Sequence, residues 1–148
     1  MTDERRVTLR ERLHALAAFL PTFEAPDFQF GSWYSPPAPE PGVTYFPCYS
    51  LGEVASSLHD VVYEMGWVLM DFDWPSWVKT DEAIRRRDEP DRLAQAMPDQ
   101  LARLLTVLFR QERFCEGSLA AAHDSGLLIR ILKRASDLET EEIKNGVV

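Results

Sequence analysis

At 148 residues, with 45% hydrophobic and 27% charged side chains, the chain has the length of one domain and the composition of a folded one. A formal net charge of −8 argues against nucleic acid as a partner, because that affinity rests on Lys and Arg neutralising phosphates. The charged residues 2–6 are no secretory signal, no apolar run is long enough to cross a bilayer, and two cysteines make no disulfide framework. The cytosol is the expected compartment, with no membrane partner.

Leu9, Leu13, Leu16 and Leu20 form one apolar stripe and predict a first helix, beginning at Asp3 or Thr8 and stopped by Pro21. His14 lies beside the stripe and reads as a half-buried structural histidine. Residues 21–48 carry Pro26, Pro36, Pro37, Pro39, Pro41 and Pro47, which remove donors and fix φ. They predict a long irregular segment with a polyproline-like excursion at residues 35–42. Its aromatics either cap the helical core or serve binding. Residues 43–46 and 67–70 have the composition to pair as a short ribbon.

Ser50-Leu51-Gly52-Glu53 reads as a capping box, and the helix it opens carries Leu51, Val54, Ala55, Leu58, Val62 and Met65 on one face. Gly66 closes it as a left-handed residue. Asp73-Trp74-Pro75 is the next helix start, with Asp73 as cap and Pro75 in the first turn. That helix holds Trp77 and Ile84. In residues 79–92, Arg85-Arg86-Arg87 is balanced by nearby acids and reads as a solvated face. Shorter helices follow at residues 90–96 and 118–124. A longer one opens at Pro98 with Leu101, Leu104, Leu105 and Leu108, and a last apolar face runs from residue 127 to 135. The expected fold is mainly α: a compact bundle of about five helices with a long proline- and aromatic-rich loop and a short two-stranded ribbon. One domain would span residues 1–136, followed by a flexible acidic tail at 137–148.

The charge is uneven. Residues 13–78 contain no Lys or Arg, eight acids and 14 of the 16 aromatics. Metal-ligand spacings, phosphate loops and nucleophile elbows are absent, so no catalytic residue, metal ligand or cofactor is assigned. Arg113-Phe114-Cys115-Glu116-Gly117 is a second compact cluster. Its Arg113 and Glu116, three apart, form either a local ion pair or a pair able to recognise a carboxylate or guanidinium. Glu116 stands at a helix C-terminus, where the dipole disfavours an anion, so the next helix's N-terminus or a buried arginine should hold it.

Gly66-Trp67, Phe72-Asp73-Trp74 with Trp77, and the 113–117 cluster followed by Leu119, Gly126 and Ile131-Leu132-Lys133-Arg134 together resemble one bacterial domain-of-unknown-function family, numbered 6508. The resemblance covers most of the chain, from about Leu9 to Ala135, and does not account for residues 35–42. It implies the domain boundary and no activity.

Two functional expectations follow. The first is a non-catalytic binding module whose acidic, aromatic face receives a basic protein or cationic small molecule, centred on Asp71, Asp73, Trp74 and Trp77. Against it stands the reading that these acids meet Arg103, Arg110, Arg113, Arg130 and Arg134 and simply close the fold. The alternative class is a small metal-dependent hydrolase. His59-Asp60, with His14 upstream, resembles the ligand order of the phosphohydrolases named for the His-Asp dipeptide.

Overall fold

The computed structural model describes residues 7–35, 37–38, 40–43 and 46–146. Helix α1 (Leu9–Ala17) is capped by Thr8, whose hydroxyl accepts from Glu11 N–H at 3.1 Å. Leu13 and Leu16 carry its stripe into the core. Pro21 does not simply stop this helix. It occupies the first turn of a second one, α2 (Leu20–Glu24), where a missing N–H costs nothing. Helices α3 (Glu53–Glu64), α4 (Trp74–Trp77), α5 (Asp81–Asp88), α6 (Pro90–Leu93), α7 (Pro98–Gln111), α8 (Ser118–Asp124) and α9 (Leu127–Gly146) follow. The chain is mainly α, as expected, but about five helices understates the count.

The core gathers α1, α3, α7 and α9 around Leu13, Leu58, Leu105, Leu128 and Ile131, with Trp67 completely enclosed among them. Trp67 follows the end of α3, and the turn that delivers it is a Schellman motif. Gly66 takes φ +73°, its N–H donates to Tyr63 O, and Trp67 N–H donates to Val62 O. Arg12 on α1 seals that helix end. Its Nε and Nη2 donate to Met65 O at 2.7 Å and Gly66 O at 3.2 Å, favourable for a cation at a helix C-terminus. The guanidinium lies 4.4 Å from the centre of the Trp67 ring, and Trp67 Nε1 donates back to Arg12 O at 3.2 Å. Thr106 on α7 fixes the next residues. Its buried hydroxyl accepts from Leu69 N–H at 2.9 Å and lies 2.7 Å from Ala102 O and 3.3 Å from Trp67 O.

Residues 67–70 therefore do not form a strand; their backbone is spent on α3 and α7. The ribbon forms elsewhere, between β1 (Gly31–Tyr34) and β2 (Cys48–Leu51), antiparallel, with Trp33 opposite Tyr49. Of the other expected partner, residues 43–46, Thr44 and Tyr45 lie outside the described residues. Ser50 is paired with Ser32 and cannot cap α3; Gly52 takes the N-cap position without a side-chain bond. The expected helix through Trp77 and Ile84 divides at Thr80, which caps α5 through Ala83 N–H.

The last helix runs to Gly146, beyond the end expected at residue 135. Ala135 and Leu138 continue its buried stripe, while Asp137 and Glu141 face outward. Glu139, largely covered, meets His14 Nδ1 at 2.7 Å and ties α9 to α1. His14 is exposed, not half-buried.

Candidate functional site

The turn between α7 and α8 carries the candidate site. Glu112, not Glu116, caps α8: its carboxylate accepts from Gly117 N–H, Ser118 Oγ and Leu119 N–H at 3.0, 3.1 and 2.8 Å. Two carboxylate oxygens thus satisfy the orphan donors of a helix start, and the dipole favours the charge. Glu116 is left to reach the ribbon, where its Oε1 accepts from Tyr49 N–H at 2.7 Å. Arg113 points to another cleft, and the local Arg113–Glu116 ion pair does not form among the described residues.

Gly117 is required at this turn for two reasons. Its φ is +94°, and a Cβ there would sit 2.7 Å from Trp33 Cζ2. The β1 indole therefore packs against the turn, with Tyr49 edge-on at 5.2 Å between centroids. Trp33, Ser35, Phe46, Pro47 and Glu116 together line an open depression of about 550 Å³. Trp33 is 58% exposed and Phe46 90% exposed. Other aromatics of the proline-rich segment do cap the core: Phe23, Phe28 and Phe30 surround His123, with the Phe30 and His123 rings stacked 4.9 Å apart. Tyr49 titrates above its usual value, through burial and then the charges of Asp124 and Glu112.

All eight acids of residues 13–78 are exposed. Among the described residues none of them pairs with Lys or Arg; Asp60 only approaches its neighbour His59, at 3.7 Å. Among the described residues Asp71 is unpaired, and Asp73 caps α4 through Ser76 N–H at 3.3 Å. Arg103 lies over the Phe72 ring at 5.8 Å, Arg134 approaches Glu141 at 3.8 Å, Arg130 acts on Asp88, and Arg110 and Arg113 meet no carboxylate among the described residues. The acids do not close the fold. Trp77, however, is not on an exposed face. Three residues after Trp74, it turns from α4 into the core against Phe72, while Trp74 stays half-buried at the rim.

His59 leans on Tyr63 and Phe109 at the surface of α3, and His14 is engaged by Glu139. They do not converge, and among the described residues no three His, Cys, Asp or Glu side chains form a metal-holding group. Both cysteines are free and exposed. No helix among the described residues is long and apolar enough to cross a membrane. Sequence reasoning missed Glu112, Arg12 and the exposed role of Trp33. A glutamate five residues ahead of Gly117-Ser118 was the available signal for the first; the other two depend on distant partners.

The fold and this turn define a helical domain with a two-stranded ribbon docked on its α7–α8 corner. The chain belongs to a family of unknown function (DUF6508), whose model matches residues 8–141. That span includes the ribbon, the turn and most of α9. Comparison with curated proteins and with solved structures gives no match.

Proposed function

We propose that the protein is a non-catalytic interaction module that receives a basic segment of another protein. The observation that carries this reading is the state of the eight acids: exposed, and free of Lys and Arg partners among the described residues. Without a neutralising cation, these carboxylates lower the potential of the surface and steer a basic partner toward it. The ribbon depression supplies the anchor. Glu116 spends one oxygen on Tyr49 N–H and keeps the other open, beside the exposed rings of Trp33 and Phe46. An arginine or lysine side chain entering there gains a carboxylate at its head and an aromatic face along its length, about 0.5–2 kcal/mol for the latter. Asp71 and Asp73, exposed ahead of α4, add to the attraction.

The test is an isotope-labelled titration with a short arginine-rich peptide, with a glutamate-rich peptide of equal length as control. Shifts should cluster at Trp33, Phe46, Tyr49 and Glu116 and saturate. Shifts spread evenly over the acidic surface, or equal responses to both peptides, would rule the anchor out.

A further inference from the structure

The start of α4 and the end of α7 enclose a second cleft, of about 560 Å³, lined by Trp74, Pro75, Arg110, Arg113, Phe114 and Cys115 among others. Its volume is that of a small-ligand pocket, which runs roughly 300–1,000 Å³. Its chemistry is opposite to that of the ribbon depression: two guanidiniums and no carboxylate. Neither the Arg110 nor the Arg113 guanidinium has a hydrogen-bond or ion-pair partner among the described residues, and Arg110 Nε is closed off from solvent as well. A buried N–H of a charged group left without an acceptor costs folding free energy. A planar fork of open donors is completed by an oxyanion, most simply a carboxylate.

The walls are flat and apolar. Trp74 and Phe114 lie with ring centres 6.3 Å apart and planes 32° apart, and Phe114 is 82% exposed. Nothing in the core explains an aromatic left that open. A helix C-terminus ordinarily repels an anion, but here the last carbonyls are taken up by the following turn. Arg110 O accepts from Arg113 N–H, and Gln111 O accepts from Phe114 and Cys115 N–H.

We propose that this cleft binds a small carboxylate carried on a flat apolar group, with Arg110 and Arg113 on the carboxylate and Trp74 and Phe114 against the apolar part. The fork would also fit a phosphate. The protein's net charge of −8 favours the singly charged anion over a dianion. This site does not depend on the ribbon depression, with which it shares no lining residue.

The experiment is calorimetric titration of the full chain with 2-naphthoate, alongside 2-naphthalenemethanol and inorganic phosphate. Naphthoate should saturate, with the alcohol and phosphate each at least about tenfold weaker, the fold-change expected for a charge-assisted hydrogen bond. Arg110→Met should weaken naphthoate by roughly 10–100-fold and melt no lower than the parent, since it removes a guanidinium whose enclosed Nε has no partner. Arg113→Gln, at an exposed position, gives the same comparison should Arg110→Met fail to fold. In a Cys48→Ser background, naphthoate should also slow alkylation of Cys115. The proposal is overturned by an absence of saturable binding, by equal binding of the alcohol or of phosphate, by unchanged affinity in the arginine variants, or by alkylation of Cys115 at an unaltered rate.

Discussion

Replacing Thr106 by valine keeps the shape of a buried side chain and removes the hydroxyl that holds residues 67–69 to α7. Leu69 N–H then loses its acceptor at 2.9 Å, in a part-buried position, and Trp67 O and Ala102 O lose a shared donor. An orphaned buried donor costs about 1–3 kcal/mol. The donor to Ala102 O matters less, because a hydroxyl bonding four residues back along its own helix is a weak contributor. Valine offsets a small part through its extra apolar surface, leaving a net loss of about 2 kcal/mol. For a chain of this length that lowers the melting temperature by roughly 4–8 °C. Urea unfolding followed by circular dichroism measures the free energy, and amide exchange reads Leu69 directly, where protection should fall more than at the centre of α3. Thr106→Ser keeps the hydroxyl and should preserve Leu69 protection. A valine variant as stable as the parent, with Leu69 still protected, would refute the claim that Thr106 anchors the Trp67 loop.

Arg12→Met keeps an unbranched apolar side chain but removes the donors to Met65 O and Gly66 O and the cation over Trp67; chemical denaturation should show a loss of about 1.5–3 kcal/mol. An unchanged midpoint would show that the α3 end does not need the clamp. Glu112→Ala strips the cap from α8 and should cost about 1–2 kcal/mol, with heightened exchange at Gly117 and Leu119. Glu116→Ala, by contrast, should leave those two amides protected. Tyr49, whose phenol is raised above its ordinary value by burial, should ionise late in an absorbance titration compared with the unfolded protein. Because the unfolded phenol loses its proton first, this contribution to stability is complete below about pH 10 and is lost as pH rises through the folded value. A Tyr49 phenol that titrates at or below its ordinary value would contradict the assignment.

Local signals in the sequence were enough for much of the fold. Gly66 ends α3 and Asp73 with Pro75 opens α4 as expected, because each is set by a few neighbouring residues. What escaped depends on residues far apart in the chain. Ser50 and Glu53 have the spacing of a capping box, yet Ser50 is claimed by Ser32, and only the long-range ribbon decides between them. The acids after Ala135 resemble a solvated tail until Leu138 finds the core and Glu139 finds His14. At the candidate site, Trp74, Arg113 and Glu116 do lie around one corner of the molecule. They divide between two clefts of opposite character, because Glu112 satisfies α8 and frees Glu116 for the ribbon. Trp33 joins Glu116 only through Gly117, whose missing side chain is a steric fact of the assembled fold.

The most direct measurement of the central claim is the affinity of a fluorescent arginine-rich peptide for the intact protein at about 50 mM and about 300 mM salt, repeated with Glu116→Gln and Trp33→Ala. Binding should be saturable at low salt, weaken at least roughly tenfold at high salt and be further reduced in both variants. No binding at low salt, affinity indifferent to salt, or variants that bind like the parent would contradict it.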